Sequence, residues 1–438
     1  MPRKMKESDS QLLGLLPSNW ECNVVRRYYN IILGKMLCPE KLDESYSLEK
    51  YYCAANVHFD GVSDNGLKAM WFSPSEKREY GVREGDLLVV EGGAGAGGAA
   101  IAGGQRGFVG VQNSVMIVRP KKDADVRLLK YWLQVAVPSG YIDCVCNRAT
   151  IPHFTKDKIG NMKIPYPPSA EQRRIAAYLD ERCARIGGMI AEAKASIEDY
   201  KKWKQSIIFE AVTGKHEKNL KPSGVDWIGD VPEGWKVCKV LHALSMPITD
   251  GPHTTPELYD DGIPFVSAEA VSAGNGHIDF NHIRGYISEA FYRECSEKYV
   301  PALDDIYMIK SGATTGKVAI VDTDRIFTIW SPLAVFRSDK DKTHPKFLFY
   351  FLQSPIFQKQ VELAWSFGTQ QNIGMRMLEG LKIVLPPLLE QRRIAAELDE
   401  KCAVIDKLVG EKEALIADLE AYKKSLIFET VTGKREVA

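Results

Sequence analysis

The chain is poor in the features that would announce an enzyme or a membrane protein. Over 438 residues no window approaches eighteen uncharged apolar residues, so a transmembrane helix is not expected. The N-terminal stretch MPRKMKESDSQLLGLLPSNW has only a short, interrupted apolar run and makes no convincing signal peptide. Nine cysteines are scattered without a framework: Cys144 and Cys146 form C-x-C, and no second pair stands at zinc-finger spacing. An odd, unpatterned set reads as reduced, structural thiols and a cytoplasmic home. Net charge is also missing, since 57 basic residues balance 57 acidic ones. That argues against holding nucleic acid by bulk charge alone, while leaving room for local basic surfaces.

Catalytic signatures are missing too. There is no G-x-S-x-G, no H-E-x-x-H, no acidic-lysine nuclease constellation, and the eight histidines show no ligand spacing. SGATTGKV resembles a phosphate-binding loop but fails it. Ser311 stands where the first glycine belongs, and Val318 replaces the magnesium-binding hydroxyl. The glycine run Gly92 to Gly104 is too permissive for a dinucleotide fingerprint and reads as a flexible loop between strands. PYPP, Pro165 to Pro168, lacks the leading Asn or Asp of an amino-methyltransferase motif and precedes a helix. The chain is read as non-catalytic, with no cofactor of its own.

What is present is a repeat. EQRRIAAYLDERCARI, Glu171 to Ile186, returns as EQRRIAAELDEKCAVI, Glu390 to Ile405. Pro167 to Lys215 aligns without a gap to Pro386 to Lys434, with about 28 of 49 positions identical, which marks an internal duplication. Apolar residues recur in steps of three and four at Ile175, Leu179, Cys183, Ile186, Ile190, Ala193, Ile197 and Tyr200. The second copy has Ile394, Leu398, Cys402, Ile405, Val409, Ile416 and Leu419, with Lys412 where an apolar residue is expected. These are narrow heptad seams of the kind one long helix offers another. Ser169 with Gln172 fits a capping box that Leu388 denies the second copy, and Gly214 and Gly433 fit C-terminal caps.

The segments before the helices look like diverged copies of one another. PSNW (Pro17 to Trp20) and PEGW (Pro232 to Trp235) stand near their starts. Asp86 of GDLLVV pairs with Asp305 of DIYMIK, Gln134 with Gln353, Thr150 with Thr369, and Lys163 with Lys382, all at an offset of 219. LLVV, VMIV, YMI, VAIV and LAVF read as strands, and YWLQVAV and FLFYFLQ as helices. The fold class is therefore α+β: two globular domains alternating with two long helices whose seams pair with each other, an internal duplication. The boundaries are 1–166 and 229–385 for the domains, 167–215 and 386–434 for the helices, and 216–228 for a linker.

This plan resembles the specificity subunit of type I restriction–modification systems. The likeness lies in the two P-P-x-x-E-Q-R-R-I-A-A phrases, both FE-x-VTGK endings, the P-x-x-W motifs and the D-x5-SGATTGK stretch. The resemblance implies two target-recognition domains, each reading half of a bipartite double-stranded DNA target, with the helices pairing as an antiparallel coiled coil, a rigid spacer with a pseudo-twofold axis. It implies two methylation subunits holding S-adenosylmethionine, and restriction subunits using ATP and magnesium where these join.

Base reading needs Arg or Lys, Asn or Gln, and hydroxyls on loops. The candidates are Gln105, Arg106, Asn147, Arg148, Thr150, His253, Thr254, Thr255, Lys310, Ser311, Thr314, Thr315, Lys317, Gln370, Gln371 and Asn372. Arg173, Arg174, Tyr200 and Trp203, with Arg392, Arg393 and Tyr422, are candidate docking positions for partner subunits. The competing reading is a protein-interaction scaffold with duplicated domains and no base reading.

Overall fold

A computed structural model describes residues 3–8, 13–104, 107–121, 123–140, 153–365 and 372–437. The chain folds into two compact units, Met1–Ala193 with Ala414–Ala438, and Lys194–Glu413. The division cuts both long helices. Each unit holds one globular domain, the first half of the helix that follows it, and the second half of the other helix.

In the first unit, a four-stranded antiparallel sheet runs in the order Ala99–Ile101, Leu87–Val90, Val115–Pro120, Tyr29–Leu33. LLVV is apolar throughout because this sheet is covered on both faces. Leu87 and Val89 pack with Leu128, Leu129 and Trp132 of the helix Val126–Ala136. Leu88 and Val90 face Tyr52, Val109 and Val111. Those belong to a three-stranded sheet in which Ser47–Tyr52 lies between parallel Val109–Val111 and antiparallel Lys68–Phe72.

The second unit repeats the design. Its four-stranded sheet has the order Val318–Ile320, Ile306–Ile309, Leu333–Phe336, Thr249–Asp250. Its three-stranded sheet sets Ile263–Val266 between antiparallel Tyr286–Ile287 and parallel Thr328–Ile329. Ile306 and Met308 join the core of the helix Pro345–Gln353, and Tyr307 and Ile309 the opposite core.

The glycine run is more ordered than a flexible loop. The turn is confined to residues 92–98, and Ala99–Ile101 is a strand. Gly93 and Gly97 take positive φ (88° and 82°), as do Gly312 and Gly316 (102° and 94°). The two hairpins are therefore the same turn, which only residues tolerant of left-handed backbone can make. The 216–228 stretch, expected as a linker, includes a short strand, Leu220–Pro222, paired with Asp230–Pro232.

The long helices span Ser169–Thr213 and Leu388–Val431. In the first unit Ile175, Leu179, Cys183 and Ile186 are buried with Leu426, Ile427 and Val431. In the second, Ile394, Leu398 and Cys402 are buried with Ile208 and Val212. Pairing is antiparallel within each unit. Lys423 faces Cys183 while Arg435 reaches back to Tyr178, and Lys204 pairs with Asp406 at 2.6 Å while His216 lies near Glu397. Ile197 and Ile405 are also buried, whereas Ile190, Tyr200, Val409, Lys412, Ile416 and Leu419 are half-buried. Of the buried residues nearest the helix ends, Leu426 continues the period seven positions after Leu419, whereas Ile208, Val212, Ile427 and Val431 lie off it. Cys402 behaves as an apolar filler, its thiol pushed up to about 11 by burial.

The capping box is not the device that starts these helices. Gln172 is fully buried, donates from Nε2 to the Pro167 carbonyl at 2.8 Å, and accepts from the Asp125 amide at 3.0 Å. Gln391 does the same with the Pro386 carbonyl at 2.9 Å and the His344 amide at 2.8 Å. The glutamine locks each helix onto its own domain, which is why the loss of Ser169 at Leu388 is harmless.

The other ends are also docked. Gly214 and Gly433 cap with φ of 66° and 70°. A Cβ on Gly433 would lie 2.3 Å from Pro17 Cγ and 3.1 Å from Trp20, and one on Gly214 would lie 2.4 Å from Pro232 Cγ and 3.0 Å from Trp235. The repeated VTGK and P-x-x-W motifs are thus two halves of one contact, made once in each unit. Gly433→Ala combines left-handed strain with a backbone-fixed clash. It should destabilise the first unit by about 2 kcal/mol or more, read as a lowered unfolding midpoint.

Candidate nucleic-acid interface

In both units one end of the four-stranded sheet gathers the loops that carry polar side chains. In the second unit these follow Asp250, follow Ile309, and precede Leu333. Gly251 leaves the edge strand so close to its neighbour that a Cβ would lie 2.1 Å from the Ile329 carbonyl oxygen. The Lys310 amide donates to the Pro332 carbonyl at 2.8 Å, and Ser311 bridges to Asn372, whose neighbour Ile373 donates its amide to the Lys310 carbonyl at 2.9 Å.

Asp250 organises this end. Its carboxylate is almost fully buried and takes Lys298 Nζ at 2.5 Å, His253 Nε2 at 3.2 Å and Lys310 Nζ at 3.4 Å. Burial alone would raise the pKa of Asp250. The Lys298 hydrogen bond and charge, with Lys310 and His253, outweigh it and hold the carboxyl below its usual range. His253 stays largely exposed, and Thr254 and Thr255 follow it in solvent. The structure therefore brings His253, Thr254, Thr255, Lys310, Ser311 and Asn372 to one sheet end. Of these, Lys310 is mostly buried and committed to Asp250.

Thr314, Thr315 and Lys317 serve the hairpin itself. Thr315 Oγ1 donates to the Gly312 carbonyl at 2.7 Å, and Lys317 Nζ reaches the Ser272 carbonyl at 3.3 Å. Thr315 and Lys317 line a cleft of ≈ 490 Å³ with Ser272, Asn275 and Gln358. Gln105, Arg106, Asn147, Arg148, Thr150, Gln370 and Gln371 lie outside the described residues.

The first unit has the same sheet end with different chemistry. Glu91 stands where Lys310 stands, its amide donates to the Ser114 carbonyl at 2.9 Å, and Gly92 bridges to His153, whose Nδ1 lies 3.8 Å from the Glu91 carboxylate. Gly34 matches Gly251, with a Cβ position 2.3 Å from the Gln112 carbonyl oxygen. The loop it opens, residues 34–40, is absent from the sequence-based candidates. The available signal is the glycine directly after an edge strand.

The candidate docking residues line neither of two clefts that open at matched positions on the helices, and Tyr200 is half-buried. Ala421, Lys424, Ser425 and Phe428 line an apolar cleft of ≈ 400 Å³ against Trp132 in the first unit. The aligned Lys202, Gln205, Ser206 and Phe209 line one of ≈ 510 Å³ against Pro355 in the second. Trp203 and Tyr422, at the next position along each helix, are 51% and 50% exposed. Arg173, Arg174 and Arg392 are exposed. Arg393 is engaged on its own helix by Glu390 at 2.5 Å and Glu397 at 3.3 Å. Among the described residues no helix is long and apolar enough to cross a membrane.

Comparison with known proteins places this geometry. The family model described as type I restriction modification DNA specificity domain matches residues 62–198 and 237–416. The MjaVIII type I restriction enzyme specificity subunit of Methanocaldococcus jannaschii is 26% identical over 441 residues, covering 99% of this chain and 97% of that protein. The EcoKI specificity subunit of Escherichia coli is 22% identical over 329 residues, covering 73% and 67%. The fold is shared with a chain solved in work on complex assembly and conformational transition of a type I R-M system. That match has a TM-score of 0.71 and 19% identity, covering 96% of this chain and 99% of the other. It is shared more loosely with the HsdS subunit of Thermoanaerobacter tengcongensis, at a TM-score of 0.51 and 20% identity over 96% and 98%. The chain, a duplicated domain with a diverged loop end joined to a repeated long helix, thus belongs to the type I restriction–modification DNA specificity family.

Proposed function

We propose that each globular domain reads one half of a bipartite double-stranded DNA target, and that the paired helices set the gap and carry the partner subunits. One observation carries the reading: the scaffold is held nearly constant between the two units while the chemistry at one sheet end is exchanged. His253, Lys310 and Asn372 of one unit stand against Glu91 and His153 of the other. Two readers of two different half-sites call for that combination, since base identity is read by donors and acceptors on a fixed frame.

The clefts at matched helix positions beside Trp203 and Tyr422, which share Ser206 with Ser425 and Phe209 with Phe428, support docking of two identical methylation subunits. The chain itself carries no catalytic role in this scheme. S-adenosylmethionine belongs to the methylation subunits, and ATP and magnesium to restriction subunits where these join the complex.

The test is to co-express the chain with its methylation subunit and map methylated adenines across the host genome. A split motif with a fixed gap is the expected outcome. Methylation without a motif, or no salt-sensitive binding to duplex DNA by the complex, would favour the scaffold instead.

A further inference from the structure

The loop of residues 34–40 leaves the first unit's edge strand where residues 251–255 leave the second's, yet its tip is apolar. Met36 is 74% exposed and Leu37 55%. The tip does not collapse onto the domain because the chain on either side of it is pinned. The Lys35 amide donates to the Val111 carbonyl and its carbonyl accepts from the Asn113 amide. Its Nζ is buried against Glu76 Oε2 at 2.5 Å and lies over the Tyr46 and Phe72 rings. Beyond the tip, the Cys38 carbonyl accepts from the Trp71 amide at 3.0 Å. A fixed loop that holds two large apolar side chains in water, at the point where its counterpart offers His253 and Thr254, has a surface to meet.

We propose that Met36 and Leu37 read thymine in the first half-site, by packing on its C5-methyl group in the major groove. This rests on the DNA-reading function above. Thymine is the base that presents an apolar group on that edge, and small apolar contacts discriminate it. The unbranched thioether of Met36 can adapt to the position of the methyl. The nearby charges agree with a specific rather than a bulk contact. Lys35 is neutralised by Glu76, and His153 sits beside Glu91, so this loop adds no free cation for phosphate.

The experiment uses the full chain with its methylation subunits and the duplex target found by methylation mapping. Each thymine is replaced in turn by deoxyuridine, which removes only the methyl group. One or two positions in one half-site should weaken binding roughly fourfold each, the worth of one buried methyl. In the Met36→Ala/Leu37→Ala variant that sensitivity should vanish, while the other half-site keeps its profile. Both side chains are exposed, so the variant should melt with the wild type. If it does not, Met36→Gln alone, which keeps the length of the side chain, supplies the same readout. An unchanged uracil profile in the variant, or a wild type indifferent to every substitution, overturns the proposal. A wild-type complex that yields no split motif removes the DNA-reading premise instead, and the proposal falls with it.

Discussion

Replacing Asp305 with alanine should cost the second unit about 3–5 kcal/mol, the range for breaking a buried ion pair from one side. Asp305 is 1% exposed, and each of its oxygens has a partner. Arg337 donates Nε to Oδ1 and Nη2 to Oδ2, both at 2.7 Å, a bidentate fork. Oδ2 also accepts from Tyr299 OH at 2.5 Å and from the Ala302 amide at 2.9 Å. Alanine would leave the Arg337 guanidinium without its counter-ion and take one hydrogen-bond partner from the buried Tyr299 hydroxyl, which keeps Tyr307 at 2.9 Å. Arg337 is one-third exposed, so water recovers part of its charge and the lower end of the range is the better expectation.

Asp86 holds the matching fork with Arg119, Nε and Nη2 both at 2.8 Å, but its further donor is the Arg83 amide, in place of a buried tyrosine hydroxyl. Asp86→Ala should cost about as much as Asp305→Ala: no tyrosine hydroxyl loses a partner, but Arg119 is only 16% exposed, so water recovers less of its charge. Hydrogen exchange resolved along the chain is the right measurement, because two units need not unfold as one. Both aspartates precede their strands, away from the loop end, so the methylation motif should survive in any variant that still folds. A changed motif would mean that the fork shapes the reading loops.

These two aspartates were legible in the sequence because they keep the 219 offset. The long helices were legible for the same reason, helped by a heptad seam that depends on local spacing alone. Their ends are less legible. Ile208, Val212 and Ile427 are buried because the globular domains pack over the helices there, which no helical period encodes. Local spacing assigns Gln172 to a capping box, whereas its partner is the Asp125 amide, 47 residues away.

The loop end was legible in one unit and not in the other. His253, Thr254, Thr255, Lys310 and Asn372 announce themselves as polar loop residues, and their assembly at one sheet end follows from strand order. Met36 and Leu37 do not, because an apolar pair reads as core until its exposure is known. Gly34 and Gly251 also stand 217 apart rather than 219, since insertions in the loops break the register that exposed the repeat elsewhere. Lys310, a candidate for meeting DNA, is held by Asp250 across 60 residues of chain.

Extending the paired helices together should change the target itself. A heptad inserted within Leu179 to Tyr200, with seven residues added to the second helix in register, would keep both apolar seams in phase. It would lengthen the pair by about 10 Å, at 1.5 Å per residue. At 3.4 Å per base pair, that is room for roughly three more base pairs between the half-sites.

Distance is not the whole requirement, because a half-site also has a face. Three base pairs turn the duplex by roughly 100°, at 10–10.5 base pairs per turn. The inserted length of a left-handed coiled coil with a pitch near 150 Å turns by only about 25°. The duplex would have to twist to meet both readers, so the expected result is a longer gap, near three base pairs, with weaker binding and slower methylation. Extending one helix alone gives no such compromise. It leaves seven residues of one seam unpaired, and should lower stability without yielding a new, well-defined gap. Methylation mapping of the doubly extended protein decides the matter: the original gap, retained at the original strength, would mean that the helices hold the complex together without measuring its target.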